Sequence, residues 1–356
     1  MRFTLPLVFA AFAASAAAES LSGLMACEAA LLPQDSAFAR GINPVLDDFV
    51  RLPSGSELYV RVEEPAWNQP RKWFFLVHGM LDNQHSYDDL AELLLNRGYG
   101  VVRMDLRGFG RSLNREIEHA SAIGQRFSPD SFLDYRSQVR DLAELLDYIR
   151  DVYDIRRPHL VGHSMGGGLV MSLLANPEIK RLVAPRATVV APYVYRLEYY
   201  QAEKFAYMGL PLPNPLFLFE SLIPEPMRMA PQFLMDTLLN DGAMRITFAS
   251  FFDEGTAKET GIPTAKLSEM RDHHISMAIA AVKGLRGLNS LSVIESIPRE
   301  VQLDLVYGRK DSVLEEGLAR KLALGIQRRG GRAYGLDTDH MITRNAPEEL
   351  LQILEK

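Results

Sequence analysis

Pro158-His159-Leu160-Val161-Gly162-His163-Ser164-Met165-Gly166-Gly167-Gly168-Leu169 is the stretch on which the reading of this chain turns. His159-Leu160-Val161 is a short apolar run of strand character, and Leu169 to Ala175 continues as a helix. Between them lies Gly162-x-Ser164-x-Gly166. The bare spacing is weak, because glycine and serine are common enough to meet this way by chance. The strand before it and the helix after it make it strong, since a sharp strand-to-helix turn lifts a serine hydroxyl clear of a sheet. Glycines are required there because neighbouring side chains would collide. The Met165 N–H, at the helix start, would point at a developing negative charge.

A serine hydroxyl is a poor nucleophile without a base to take its proton. The chain has eight histidines. His163 lies inside the turn and would point away from Ser164. His78 shapes a strand end, His85 and His119 lie in loops or at loop edges, His159 starts a strand, and His273 and His274 fall in an atypical segment. His340 follows the last predicted strand in Asp337-Thr338-Asp339-His340-Met341, a loop able to return to the carboxyl edge of the sheet where Ser164 emerges. His340 is therefore expected as general base. The acid that orients it is expected at a strand end, and Tyr307-Gly308-Arg309-Lys310-Asp311-Ser312 follows the predicted strand Val301 to Val306. Asp311 would accept from His340 Nδ1–H and fix its tautomer. Asp337 is its rival, whereas Asp304 lies within the strand and Asp339 adjoins His340 too closely to reach its ring. The second oxyanion donor is expected after the third strand, at His78-Gly79-Met80, with the Met80 N–H as donor.

The rest of the chain supplies a setting for these residues. Phe49 to Leu52 and Leu58 to Val62 read as a hairpin turned at Pro53-Ser54-Gly55. Trp73 to Val77 is a continuous apolar run suited to a strand buried on both faces. Helices are expected at Tyr87 to Arg97, Ser128 to Val152, Leu314 to Gln327 and Pro347 to Leu354, and further strands at Tyr99 to Met104, Thr188 to Ala191 and Ala333 to Leu336. Ser128 is expected to cap the second of these helices, with Pro129 in its first turn. Strands alternating with helices imply an α/β fold with a mostly parallel central sheet and helices on both faces. The stretch 192–291 breaks this rhythm. It is rich in Phe, Met, Tyr, Leu and Pro, and reads either as a mainly helical cap inserted over the strand ends or as a packed extension of the core.

The 356 residues suffice for a large core with an inserted subdomain, and 47% hydrophobic with 24% charged residues is ordinary globular composition. A formal net charge of -6 argues against nucleic acid, and Arg328-Arg329-Gly330-Gly331-Arg332, the densest basic spot, reads as a solvated loop. Residues 1–18 carry Arg2, an apolar run and Ala16-Ala17-Ala18, the pattern of a cleaved signal peptide, the rival being an uncleaved anchor. An exported, periplasmic or secreted protein is therefore expected. Cys27 is the only cysteine, which excludes an intrachain disulfide. It follows Leu24-Met25-Ala26 and is either a lipidated anchor or a free thiol. The expected organisation is a leader at 1–18, an extension at 19–44, a core at 45–191 and 292–356, and the cap at 192–291.

Phe75-Leu76-Val77-His78-Gly79, Asp105-Leu106-Arg107-Gly108-Phe109-Gly110-Arg111-Ser112, Gly162-His163-Ser164-Met165-Gly166-Gly167, Gly308-Arg309-Lys310-Asp311 and Asp339-His340 occur in this order. Together they resemble an α/β-hydrolase of the lysophospholipase and monoacylglycerol-lipase type, over about Phe49 to Lys356. The resemblance implies the α/β-hydrolase fold, Ser164, Asp311 and His340 as the triad, and Met80 and Met165 as the oxyanion hole. It also implies that Asp105 to Ser112 is a structural turn. An ester or lipid substrate follows from it, with neither metal nor organic cofactor. Thioesterase, acyltransferase or peptidase action on the same triad, and a non-catalytic binding protein on the same fold, are the alternatives. An apolar cap would suit a greasy ester and contact with a membrane surface. A histidine base predicts activity rising across roughly pH 6–8.

Overall fold

The Pro53-Ser54-Gly55 turn folds β1 (Ile42–Arg51) back on β2 (Glu57–Pro65) as an antiparallel hairpin. Gly55 takes φ +89°, and Leu52 N–H donates to the Ser56 carbonyl at 2.8 Å to close the turn. The hairpin leads into β3 (Trp73–Val77), β4 (Gly100–Met104), β5 (His159–His163), β6 (Arg186–Val190), β7 (Gln302–Gly308) and β8 (Ala333–Leu336). The computed structural model describes residues 42–66, 69–80, 82–124, 134–194, 288, 290–311, 313–314 and 316–356. All of these lie in one compact unit, Gly41–Lys356. The expected leader, Cys27 and nearly all of the expected cap lie outside the described residues.

The strands form one sheet of eight in the order β1-β2-β4-β3-β5-β6-β7-β8. β2 pairs antiparallel with both β1 and β4, and every other pairing is parallel. The helices α1 (Asp88–Asn96), α2 (Gly110–Ala122), α3 (Tyr135–Tyr153), α4 (Met165–Leu174), α5 (Glu316–Gln327) and α6 (Pro347–Leu354) alternate with these strands. α1 packs on α6, and α3 on α4. Every residue of β4 and β5 is buried, which a strand achieves only when both faces of its sheet are covered. β3 leads on one side to β4 and lies on the other against β5. The strand order therefore reverses at β3, and the crevice beyond the carboxyl ends of β3 and β5 is where such sheets hold their ligands.

Most expected elements stand within two or three residues of their expected bounds, but β1 begins at Ile42 rather than Phe49, α4 begins at Met165 rather than Leu169, and two helices differ further. The helix expected from Ser128 begins at Tyr135, because Asp134 has an extended main chain (φ -61°, ψ 127°) that interrupts any helical run. The N-cap position of α3 is Asp134, and the cap expected at Ser128 lies outside the described residues. Helix α2, with Leu113 as its fully buried apolar residue, is absent from the sequence reading. Its apolar residues Leu113, Ile117 and Ala120 stand at helical spacing, but they are few in the polar sequence GRSLNREIEHASA and make only a narrow stripe. His119, expected in a loop, lies within it. The basic run is less solvated than expected. Arg328 and Arg332 are exposed, but Gly331 is buried, and Arg329 donates to the Pro298 carbonyl at 3.1 Å.

Arg103 sits in the apolar strand β4 and is 4% exposed. Its Nε donates to Glu63 Oε2 at 2.9 Å, and its Nη1 to Asp88 at the start of α1. Glu63 is 1% exposed, so the pair is buried and ties hairpin strand β2 to β4. Removing one partner of such a pair leaves an uncompensated charge. Glu63→Ala is expected to cost about 3 kcal/mol in urea unfolding, the low end of the range because Asp88 remains. A loss below about 1 kcal/mol would show that water or Asp88 replaces Glu63.

Candidate active site

From Pro158 through Met171 every residue is buried except Ser164, which is half-open. The exception follows from the main chain. Ser164 takes φ 50° and ψ -118°, a region non-glycine residues avoid, between the end of β5 and the first residue of α4. The strain is held from both sides by hydrogen bonds. Ser164 N–H donates to the Val190 carbonyl at 2.9 Å, and Tyr193 N–H donates to the Ser164 carbonyl at 2.8 Å. The flanking glycines allow the approach. A Cβ on Gly162 would collide with the Gly166 carbonyl, and one on Gly166 would collide with the carbonyls of Val77 and His78 at the end of β3.

The loops after β7 and β8 bring two further side chains to this serine. His340 Nε2 lies 2.9 Å from Ser164 Oγ, and His340 Nδ1 lies 2.8 Å from Asp311 Oδ2. Asp311 and His340 are 8% and 7% exposed. The other Asp311 oxygen accepts from the N–H groups of Val313 and Leu314 at 2.7 and 2.8 Å, so the carboxylate is oriented independently of His340. A carboxylate at Nδ1 places the ring proton there and leaves Nε2 as the lone pair facing the hydroxyl. The two loops also pack on each other. Lys310 N–H donates to the Thr338 carbonyl at 3.1 Å, and a Cβ on Gly308 would strike the carbonyls of Thr338 and Asp339.

The His78-Gly79-Met80 segment lies beside the turn. A Cβ on Gly79 would stand 3.2 Å from Ser164 Cβ. His78 shapes this loop as expected: its Nε2 accepts from Leu106 N–H at 2.9 Å, so Nδ1 carries the proton and donates to the Gly79 carbonyl at 2.7 Å. The Met80 side chain is half-buried, whereas Met165, the first residue of α4, is 1% exposed. A little further on, Arg344 Nη2 donates to Asp82 Oδ1 at 3.2 Å, tying the segment after β3 to the one after His340.

The competing residues take other places. Asp337 is exposed and faces Lys310 at 3.6 Å. Asp304, fully buried in β7, accepts from Arg186 Nε at 2.6 Å and Arg332 N–H at 2.8 Å. Asp339 accepts from Met341 N–H and Asn345 Nδ2 and shapes the turn that carries His340. Asp105 accepts from Gln84 and Arg111 N–H groups, and Ser112 Oγ donates to its carbonyl, which makes 105–112 the structural turn expected. His159 pairs with Thr188 Oγ1 at 2.9 Å in the sheet, and His273 and His274 lie outside the described residues. One contact was not legible beforehand. His163, expected to point away, touches the site from behind, its Nε2 lying 2.8 Å from the His340 carbonyl oxygen. No group of three or more metal-ligating side chains is found among the described residues.

Residues 68–232 match the family described as Serine aminopeptidase, S33. A Haemophilus influenzae protein named "Probable lysophospholipase L2" is 32% identical over 30% of this chain and 31% of its own length. A monkeypox virus protein named "Monoglyceride lipase homolog" is 28% identical over 56% of this chain and 68% of its own. The chain spans about a third of the length of the first curated relatives it matches, at 31%, 35% and 29%. Among solved structures, an esterase from Exiguobacterium antarcticum superposes with a TM-score of 0.59 at 18% identity, covering 87% of this chain and 98% of that one. The sheet order, the helix-covered faces and these superpositions are those of the α/β-hydrolase fold.

Two buried histidines at opposite ends of β5 make the fold acid-sensitive. Burial, and secondarily the charge of His340, pulls His163 from 6.5 down to about 3, and burial pushes His159 well below its ordinary value. The unfolded chain takes up these protons near 6.5, and the folded chain does so only at far lower pH. Their contribution to stability is therefore full above about pH 6.5 and is lost as pH falls toward about 3. Urea unfolding at pH 7, 6 and 5 should show a loss of about 1.4 kcal/mol per pH unit for each such histidine once pH is below its unfolded value. His163→Gln should flatten the slope by about that amount. An unchanged slope would mean that His163 is protonated in the folded protein.

Proposed function

We propose that this chain, an α/β-hydrolase by fold, cleaves carboxylic esters through an acyl-enzyme on Ser164. The observation that carries the reading is the unbroken relay from Asp311 through His340 to Ser164, delivered to a half-open serine on a strained turn. Ser164 Oγ attacks the ester carbonyl while His340 Nε2 takes its proton. Asp311 stabilises the imidazolium that forms. The oxyanion is held by main-chain N–H groups of Met80 and Met165, the first on the loop that crowds Ser164 and the second at the start of α4. His340 returns the proton to the leaving alcohol as the carbonyl re-forms. Water, deprotonated by the same histidine, then releases the acid and frees the serine.

Lysophospholipids and monoacylglycerols are the substrates this reading favours. Two of the relatives are named for a lysophospholipase and a monoglyceride lipase, and the sequence of 192–291 is rich in the apolar side chains that would accept an acyl chain. The family description, which names an aminopeptidase, makes amides the rival substrate on the same triad. Acyltransferase action would differ only in the acceptor, an alcohol replacing water.

Hydrolysis of 4-nitrophenyl esters from acetate to palmitate, beside a lysophospholipid, a monoacylglycerol and an aminoacyl anilide, separates these readings. Turnover is expected to peak at medium or long acyl chains, and Ser164→Ala is expected to lower kcat by about 10^3-fold or more. A peak at acetate would discard the lipid reading, and turnover of the anilide alone would favour the peptidase. Asp311→Asn should retain the fold and reduce kcat by about 10^2 to 10^4-fold, since the histidine would then lose its enforced tautomer. Unchanged kcat would remove Asp311 from the relay.

A further inference from the structure

His163 is the last residue of β5 and the immediate neighbour of Ser164. It is 2% exposed, and its Nε2 lies 2.8 Å from the carbonyl oxygen of His340. A carbonyl only accepts, so Nε2 carries the proton and Nδ1 is a lone pair. Nδ1 is buried without a hydrogen-bond partner, and the Gly79 main chain approaches it so closely that a Cβ there would stand 3.3 Å away. The two imidazole rings lie 5.0 Å apart at 47°.

We propose that His163 is a positioning residue that pins the main chain of His340, so that the base meets Ser164 at one fixed angle; the proposal rests on the hydrolase reading above. The ring of His340 and its main chain are held by different parts of the fold. Asp311, after β7, grips ring nitrogen Nδ1, whereas His163, at the end of β5, grips the carbonyl. Asp339 fixes the following peptide by accepting from Met341 N–H. With both ends held, the ring cannot swing about its own Cα as it passes between accepting and returning the proton. Because His163 and Ser164 are adjacent, nucleophile and base are referred to the same strand end. A loop carrying only the Asp311 contact would leave the Nε2 to Oγ distance free to drift, and displacements of about 1 Å in such alignments cost about 10^2-fold in rate.

The choice of histidine follows from charge. The charged and titratable groups facing it are His340, Asp82 and Asp311, while Tyr87 meets only its main chain. His340 must become a cation during the reaction, and a second cation at this distance would oppose it. A buried, neutral imidazole supplies one directed N–H donor with no charge, which lysine or arginine would not.

The test compares His163→Leu, which removes the donor, with His163→Gln, whose amide can restore it. In protein shown to be folded by circular dichroism, His163→Leu is expected to lose about 10- to 100-fold in kcat and in fluorophosphonate labelling of Ser164, with KM within about 3-fold. His163→Gln is expected to recover to within about 5-fold of the parent. Should the leucine variant not fold, ¹⁵N-imidazole spectra of the parent decide: a neutral ring with its proton on Nε2 from pH 5 to 8 is expected. A folded leucine variant that labels as fast as the parent, or a His163 ring protonated on Nδ1 in that range, would overturn the positioning role and leave the hydrolase reading intact. A folded parent that neither turns over any ester nor labels, like its Ser164→Ala control, would overturn the hydrolase reading and this proposal with it.

Discussion

The strained main chain of Ser164 is the constraint on which the site depends. A non-glycine residue at φ 50° persists only where its surroundings over-determine it. Here the surroundings are the end of β6, which supplies the Val190 carbonyl, the Tyr193 N–H that closes on Ser164 itself, and the bare glycine backbones that let α4 press against the carboxyl end of β3. The turn is therefore a product of three adjacent parallel strands in register, not of its own few residues. That register is itself secured by strands buried on both faces, which leaves little freedom to slip.

The same economy of placement runs through the buried polar groups. His78 bridges the ends of β3 and β4, Asp105 gathers the N–H groups of the turn after β4, and Asp304 joins β7 to Arg186 on β6 and to the segment entering β8. None of these groups reaches the reacting atoms. Each satisfies main-chain or charged groups that would otherwise be stranded where strands give way to loops, and each fixes the direction in which a functional loop leaves the sheet. Asp311 and His340 then need only short loops to converge on Ser164, because parallel strands deliver all their carboxyl ends to one edge.

How much was legible varies with how local the cause is. Trp73 to Val77 could be bounded to the residue, because a run of apolar β-formers between turn residues has one reading. Asp311 and His340 could be named from their positions after strands. Helix α2 is hard to read because its few periodic apolar residues, Leu113, Ile117 and Ala120, are outnumbered by polar ones, and the start of α3 is hard to place because Ser128-Pro129-Asp130 has the residue types of a helix start while nothing nearby announces the extended residue Asp134. His163 was read as turned away from the chemistry. It does leave the serine's side of the turn, but the loop from β8 passes behind it, a juxtaposition across 177 residues.

The amino-acid sequence by itself determined the strand–helix alternation, the serine turn and the residue types able to serve it. Those features arise from side-chain period, glycine sterics and the chemistry of hydroxyl, imidazole and carboxyl groups, all of which act within a few residues. Only the tertiary structure brought Asp311 to the His340 ring while leaving Asp337 in solvent against Lys310, and set His163 against the His340 carbonyl. Those choices depend on where loops from β3, β5, β7 and β8 meet, and that meeting is set by sheet order and packing, which no local stretch of the chain encodes.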